Sequence, residues 1–252
     1  ATHLWGKDCY ETDDMLKAEL GKDAEIACIG PSGEKLALIS GIVHMKGSVA
    51  ARSGLGAVMG SKKLKAVVVK GNMKVPVADE EGLKELRKKM MALMGGHIDV
   101  LRKFGTTFTT VPSIESGDSP VKNYGGVAQT DFTNSATLSG EEVATRSRKR
   151  IACYQCPVGC EAVMKAGTGK YKWPEGSYRP EYETIVMLGS NCLNNDLDSI
   201  IKANDLCNQY WIRYPPGRWW LSPWSATSTA LSRRRIPAGS TFPGAIPRPS
   251  SR

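Results

Sequence analysis

Ala152-Cys153-Tyr154-Gln155-Cys156-Pro157-Val158-Gly159-Cys160 places three cysteines at C-x2-C-x3-C spacing. The iron of a cubane iron–sulfur cluster takes soft thiolate ligands, and one tight loop can present several of them. Pro157 fixes φ and Gly159 permits φ > 0, which suits such a loop. Three ligands in one loop leave a fourth to come from elsewhere: Cys9, Cys28, Cys192, Cys207 or a residue outside this chain. Two other readings fit the same spacing. One is a structural zinc site completed by Cys or His. The other is a catalytic C-x-x-C dithiol, which leaves the third cysteine without a role.

Immediately upstream, Glu141 to Arg150 reads as a short basic helix leading into the loop. Its Arg146, Arg148, Lys149 and Arg150 form a solvated face, offset cluster charge or face an acidic electron carrier. Downstream, 167–178 reads as a polar loop. Leu197 to Cys207 has the spacing of an amphipathic helix, with Ile200, Ile201 and Leu206 on one face.

Further out, Thr12 is the expected N-cap of a helix ending at Gly21. Glu25–Gly30, Leu36–Val43 and Leu64–Lys70 read as strands. Between the last two lies a small-residue stretch, Gly47 to Lys62. Gly54, Gly56 and Gly60 permit close backbone approach, to a ligand or simply within a tight turn. Arg52 and Lys62 suit a phosphate. Asp79 to Met94 is the clearest helix. Asp79 caps it, and Leu83, Leu86, Met90, Leu93 and Met94 form a stripe expected in the core. Val111 to Asn134 reads as loop.

The chain has 252 residues and seven cysteines, whose clustering speaks for ligation rather than a disulfide framework. A reducing, cytoplasmic setting is expected. No apolar run approaches the roughly 20 residues of a membrane helix. The net charge of +9 is uneven: residues 211–252 hold seven Arg and no acid, which leaves 27 basic and 25 acidic side chains on residues 1–210, a net +2. Nucleic-acid binding is therefore not expected.

Four stretches, in order, resemble the aldehyde:ferredoxin oxidoreductase family of tungsten or molybdenum bis-pterin enzymes. They are Leu4-Trp5-Gly6-Lys7-Asp8, the Arg52–Lys62 stretch, the cysteine run and Pro180-Glu181-Tyr182-Glu183-Thr184. The helix at 200–208 is also family-like. The resemblance implies an α+β fold: the end of a β-rich pterin domain over 1–75, then part of a helical iron–sulfur domain over 76–210. It implies that Arg52, Ser53, Gly54, Leu55 and Gly56 contact the pterin. Cys153, Cys156 and Cys160 would hold three irons of a [4Fe–4S] cluster. Glu183 matches the active-site carboxylate; capping the following helix is its plain structural role. An aldehyde would be oxidised to a carboxylate, with ferredoxin as electron acceptor. The 117–123 stretch is also similar to the benzoyl-CoA reductase branch, which reduces an aromatic ring. Lys202-Ala203-Asn204-Asp205 stands where some members carry an E-x-x-H metal motif, so no such metal is expected. Family chains are about twice as long or more. The implied chain is thus a fragment, inactive alone, whose fourth cluster ligand and second pterin motif lie elsewhere.

Residues 211–252 break with everything before them, holding four of six Trp and seven of 14 Pro. The resemblance implies Gly, an aliphatic residue and Asp-Thr-Ile-Ser after Tyr210. Reading the third base of each codon with the first two of the next makes Trp211-Ile212 encode Asp and Trp219-Trp220 encode Val. The remaining junctions permit the family residues. A frameshifted, disordered tail is expected; a genuine basic, Pro-rich extension is the alternative.

Overall fold

The structure is a computed structural model and describes residues 2–51, 53–73 and 75–211. Helix α1 spans Cys9–Leu20 and begins with a reciprocal cap. Asp8 accepts from the Glu11 amide at 2.8 Å, and the Glu11 side chain accepts from the Asp8 amide at 3.1 Å. Two orphan donors are satisfied together. The expected cap, Thr12, instead sits inside the helix, and its hydroxyl donates to the Asp8 carbonyl at 2.6 Å.

Strand β1 is Glu25–Cys28, followed by a one-turn helix α2, Pro31–Glu34. Then come β2 (Ile42–His44), β3 (Ser48–Ala50), helix α3 (Leu55–Ser61) and β4 (Ala66–Val69). The four strands form an antiparallel sheet in the order β3-β2-β1-β4, with Ile26 opposite Val68 and Cys28 opposite Val43. The strand expected over 36–43 survives only at its end. Leu36 takes φ 60°, and Leu38 is 84% exposed, so the apolar run is a turn around α2 rather than a buried strand.

Helix α4, Glu80–Phe104, is capped by Asp79 as expected but kinks at Gly95, where φ is 48°. Its apolar stripe is not core: Leu83, Leu86 and Met90 are about half exposed, and Leu93 is 80% exposed. Helices α5 (Thr110–Glu115) and α6 (Ala128–Asp131) occupy part of the expected loop. Helix α7, Gly140–Arg146, is shorter than expected. The chain then turns into strand β5, Ser147–Ile151, which pairs with β6, Glu161–Met164. Arg148, Lys149 and Arg150 are therefore strand residues. Pairing with β6 overrides their helical propensity.

Helix α8 is Tyr182–Leu188 and α9 is Leu197–Tyr210. Ile185, Ile200 and Ile201 are fully buried with Leu138, Val143 and Met164. Each such side chain contributes about 1.5–3 kcal/mol of transfer free energy. Leu206, assigned to the same face by spacing, is instead 39% exposed.

Helix α9 ties the two parts together. Tyr10 Oη donates to Asp205 at 3.3 Å, Gln209 Nε2 to Asp8 at 2.6 Å, and Ser32 Oγ to the Tyr210 carbonyl at 3.0 Å. The disordered tail expected from residue 211 does not begin at that residue, because the packing of α9 does not stop at Tyr210. It continues to Trp211, which is buried with Leu4, Cys9 and Ile26. The remainder of the expected disordered tail lies outside the described residues. Mixed helices and small antiparallel sheets make the fold α+β, as expected.

Candidate functional site

The cysteine loop is the connection of the β5–β6 hairpin. Ile151 pairs with Glu161, so 152–160 close the loop between them. The Cys156 amide donates to the Cys153 carbonyl at 2.9 Å. Gln155 and Gly159 take φ of 53° and 61°, so the left-handed conformation expected of Gly159 is present. All three thiols are free, with Cys153 exposed and the others partly so.

Their environments differ. The backbone N–H groups of Gly159 and Val158 hold the Cys156 thiol below its ordinary pKa. Burial, then the carboxylate of Glu161, pushes Cys153 up. Burial, then Glu181, does the same for Cys160. Three thiols on one hairpin loop, one already receiving amide donors, match a thiolate-ligated cluster in donor type. Convergence on a common point is not realised: among the described residues no three His, Cys, Asp or Glu stand close enough to hold a metal ion. Metal binding itself deprotonates and orders ligands of this kind, because a preformed site rarely exists without the metal.

Cys153 opens onto a cleft of about 340 Å³ between the β2–β3 turn, β6 and the starts of α8 and the 178–181 segment. Glu161, Tyr178, Arg179, Glu181 and Asn204 line it. Tyr178 packs so closely on the β2–β3 turn that a Cβ at Gly47 would stand 2.1 Å from its ring. Asn204 Nδ2 donates to the Tyr178 carbonyl at 3.0 Å. Burial, then Glu181, pushes the Glu161 carboxyl up, while burial pushes the Arg179 guanidinium down.

The other expected site residues are placed differently. Arg52 lies outside the described residues. Ser53 (φ 69°) and Gly54 (φ 65°) lead into α3, and neither they nor Leu55 and Gly56 line the cleft. The glycines face their own chain: a Cβ at Gly54 would stand 2.6 Å from the Leu38 carbonyl oxygen, and one at Gly56 would stand 2.5 Å from that of Gly41. Glu183 is exposed in the first turn of α8. Glu181 and Thr184, three apart, both line the cleft, and Glu183 does not. Sequence reading missed Glu161, Tyr178 and Arg179. Glu161 directly follows the last cysteine, and Arg179 directly precedes the Pro-Glu-Tyr-Glu-Thr stretch, which are the signals that could have found them.

Residues 81–212 match the family model described as aldehyde ferredoxin oxidoreductase, domains 2 and 3, and residues 1–71 match its N-terminal domain. This chain belongs to the aldehyde ferredoxin oxidoreductase family. Tungsten-containing aldehyde ferredoxin oxidoreductases of Thermococcus kodakarensis and Pyrococcus furiosus are 40% and 39% identical to it over 216 residues. Each alignment covers 83% of this chain and 34% of the relative, so the chain spans about a third of their length. Among solved structures, the active site complex BamBC of benzoyl coenzyme A reductase, in complex with 1,5-dienoyl-CoA, superposes with a TM-score of 0.66 at 25% identity. That match covers 83% of this chain and 33% of the other. Among the described residues no helix is long and apolar enough to cross a membrane.

Proposed function

We propose that this chain is part of a tungsten–pterin oxidoreductase that oxidises aldehydes to carboxylates and passes electrons to ferredoxin. The observation that carries the reading is the cysteine loop at the mouth of a cleft, in a chain 40% identical to a tungsten-containing aldehyde ferredoxin oxidoreductase. Cys153, Cys156 and Cys160 would hold three irons of a [4Fe–4S] cluster. Arg52, Ser53, Gly54, Leu55 and Gly56 would meet the pterin, and the bound metal (tungsten, or molybdenum in its place) would supply the two-electron chemistry. Glu183 is the proposed carboxylate for handling a proton at the substrate. Glu161, its carboxyl raised beside Cys153, is suited to hold a proton at the cleft wall. Seven free cysteines fit a reducing, cytoplasmic setting.

Anaerobic reconstitution with iron and sulfide, followed by metal analysis and EPR, tests the reading. About four irons per chain and a cluster signal lost in Cys153→Ala, Cys156→Ala and Cys160→Ala are expected. Zinc alone, or iron binding indifferent to all three substitutions, would overturn it. The similarity to the benzoyl coenzyme A reductase complex favours one second reading, a catalytic subunit that reduces an aromatic ring. Aldehyde and aryl-CoA substrates offered to the whole protein separate the two.

A further inference from the structure

Strand β5 leaves Arg148, Lys149 and Arg150 exposed, shortly before the cysteine loop. Arg148 pairs with Glu175 at 2.9 Å, whereas Lys149 and Arg150 have no ion pair among the described residues. A Cβ at Gly159 would stand 3.6 Å from Arg150 Nε, so this cation lies against the loop. Arg102 reaches the same loop from α4, donating to the Pro157 carbonyl at 3.1 Å and to that of Val158 at 3.3 Å. Tyr154, in the same loop, is 86% exposed. None of them lines the cleft, where Glu161 and Glu181 stand with the buried Arg179. The exposed cations and the exposed aromatic ring of this region thus lie off the cleft, whose carboxylates stand beside the buried Arg179.

We propose that β5 and Tyr154 form the docking surface for an acidic electron-carrier protein. The inference rests on the electron-transfer reading above and adds where the carrier binds. Encounters between redox proteins bury little area and depend on complementary charge for rate and orientation. A local cluster of cations beside the thiol loop supplies that charge. Residues 1–210 carry only +2 overall, so any steering by this patch is local rather than the broad positive surface of a nucleic-acid binder.

Binding of an acidic two-cluster ferredoxin to the full, iron-reconstituted chain tests this, followed by calorimetry at low and high salt. The triple variant R148Q/K149Q/R150Q is compared with R87Q/K88Q/K89Q, which removes equal charge from exposed positions of α4. The β5 variant should weaken binding about tenfold at low salt and flatten its salt dependence. The α4 variant should stay within about twofold of the parent. Equal losses in both variants, no loss in the β5 variant, or no binding by the parent would overturn the proposal. So would duplex DNA that binds through β5 more tightly than ferredoxin. Iron content and EPR, read on the same samples, keep the two ideas apart. A normal cluster with β5-independent binding removes only the docking surface. Selective β5 dependence without a cluster supports the surface and removes the cluster assignment.

Discussion

The guanidinium of Arg179 donates to the carbonyl oxygen of Cys160 and, at 3.2 Å, to that of Lys103. One buried cation thereby fastens the end of the cysteine loop to the end of α4. Gly105, with φ 62°, leaves the room: a Cβ there would stand 2.6 Å from the Cys160 oxygen. Arg179→Met leaves two carbonyls without their donor, and hydrogen bonds from charged groups are worth about 1.5–3 kcal/mol each before the regained cost of burying the cation. A net loss of about 1–3 kcal/mol in urea unfolding is expected. The loop should also loosen, so that iodoacetamide alkylates Cys160 faster in the folded variant. Arg179→Lys should restore part of both. Unchanged alkylation with lowered stability would reduce Arg179 to a packing residue.

Gly60 and Gly33 show a second close approach, between α3 and α2. A Cβ at Gly60 would stand 2.0 Å from the Gly33 carbonyl oxygen, which is backbone and cannot swing away. Gly60→Ala is expected to cost about 1–3 kcal/mol, the range of overpacking. Gly96 in α4 has open space around its Cβ position, so Gly96→Ala should be neutral or stabilising by up to about 1 kcal/mol. Chemical denaturation of both variants checks the contrast.

The glycines also show what sequence could and could not deliver. Small residues in a row announce a close approach but not its other party. Here the other party is the turn at 38–41, whose apolar residues look like a strand until Leu38 is found at the surface. Capping chemistry was legible at Asp79, since one side chain and one amide decide it. The α4 stripe was legible as a helix face but not as an exposed one, because period reports a face and not its neighbour. The cysteine loop was legible from spacing alone. The cleft beside it was not, because Gly47, Tyr178 and Asn204 meet only through the tertiary fold.

The cap of α1 carries a pH dependence with a definite sign. The Asp8 amide, then Lys7, holds the Glu11 carboxyl below its ordinary 4.5. A depressed carboxyl contributes stability above its unfolded value, and that contribution is lost as pH falls through the folded one. Glu11→Gln should therefore flatten the stability profile below about pH 5. Asp8→Ala removes the other half of the cap and the acceptor of Gln209. It should cost about 0.5–2 kcal/mol at neutral pH for the cap alone. Thermal unfolding across pH separates the two. A Glu11→Gln profile as steep as the parent's would show that another group titrates there.

Trp211 is buried, yet among the described residues its Nε1–H has no acceptor, an unusual state for an indole in a core. The shifted reading frame supplies a physical reason. Both tyrosine codons end in a pyrimidine, and either one joined to the first two bases of TGG encodes Leu. That leucine is the implied aliphatic residue that follows Gly, one place beyond 211, and a leucine at 211 itself would likewise strand no polar atom in the apolar cluster of Leu4, Cys9, Leu16 and Ile26. The next forced junction is Asp, and the match to the family ends at residue 212, close to the composition break. Resequencing the DNA around the Tyr210 codon is expected to restore the frame that reads Leu-Asp. Trp211→Leu in the chain as it stands should change stability by less than about 1 kcal/mol, because removing the stranded donor offsets the lost ring area. A loss of about 3–5 kcal/mol, usual for truncating a well-packed tryptophan, would show that the indole belongs there. DNA identical to the present frame would leave the basic, Pro-rich tail as a genuine extension of this chain.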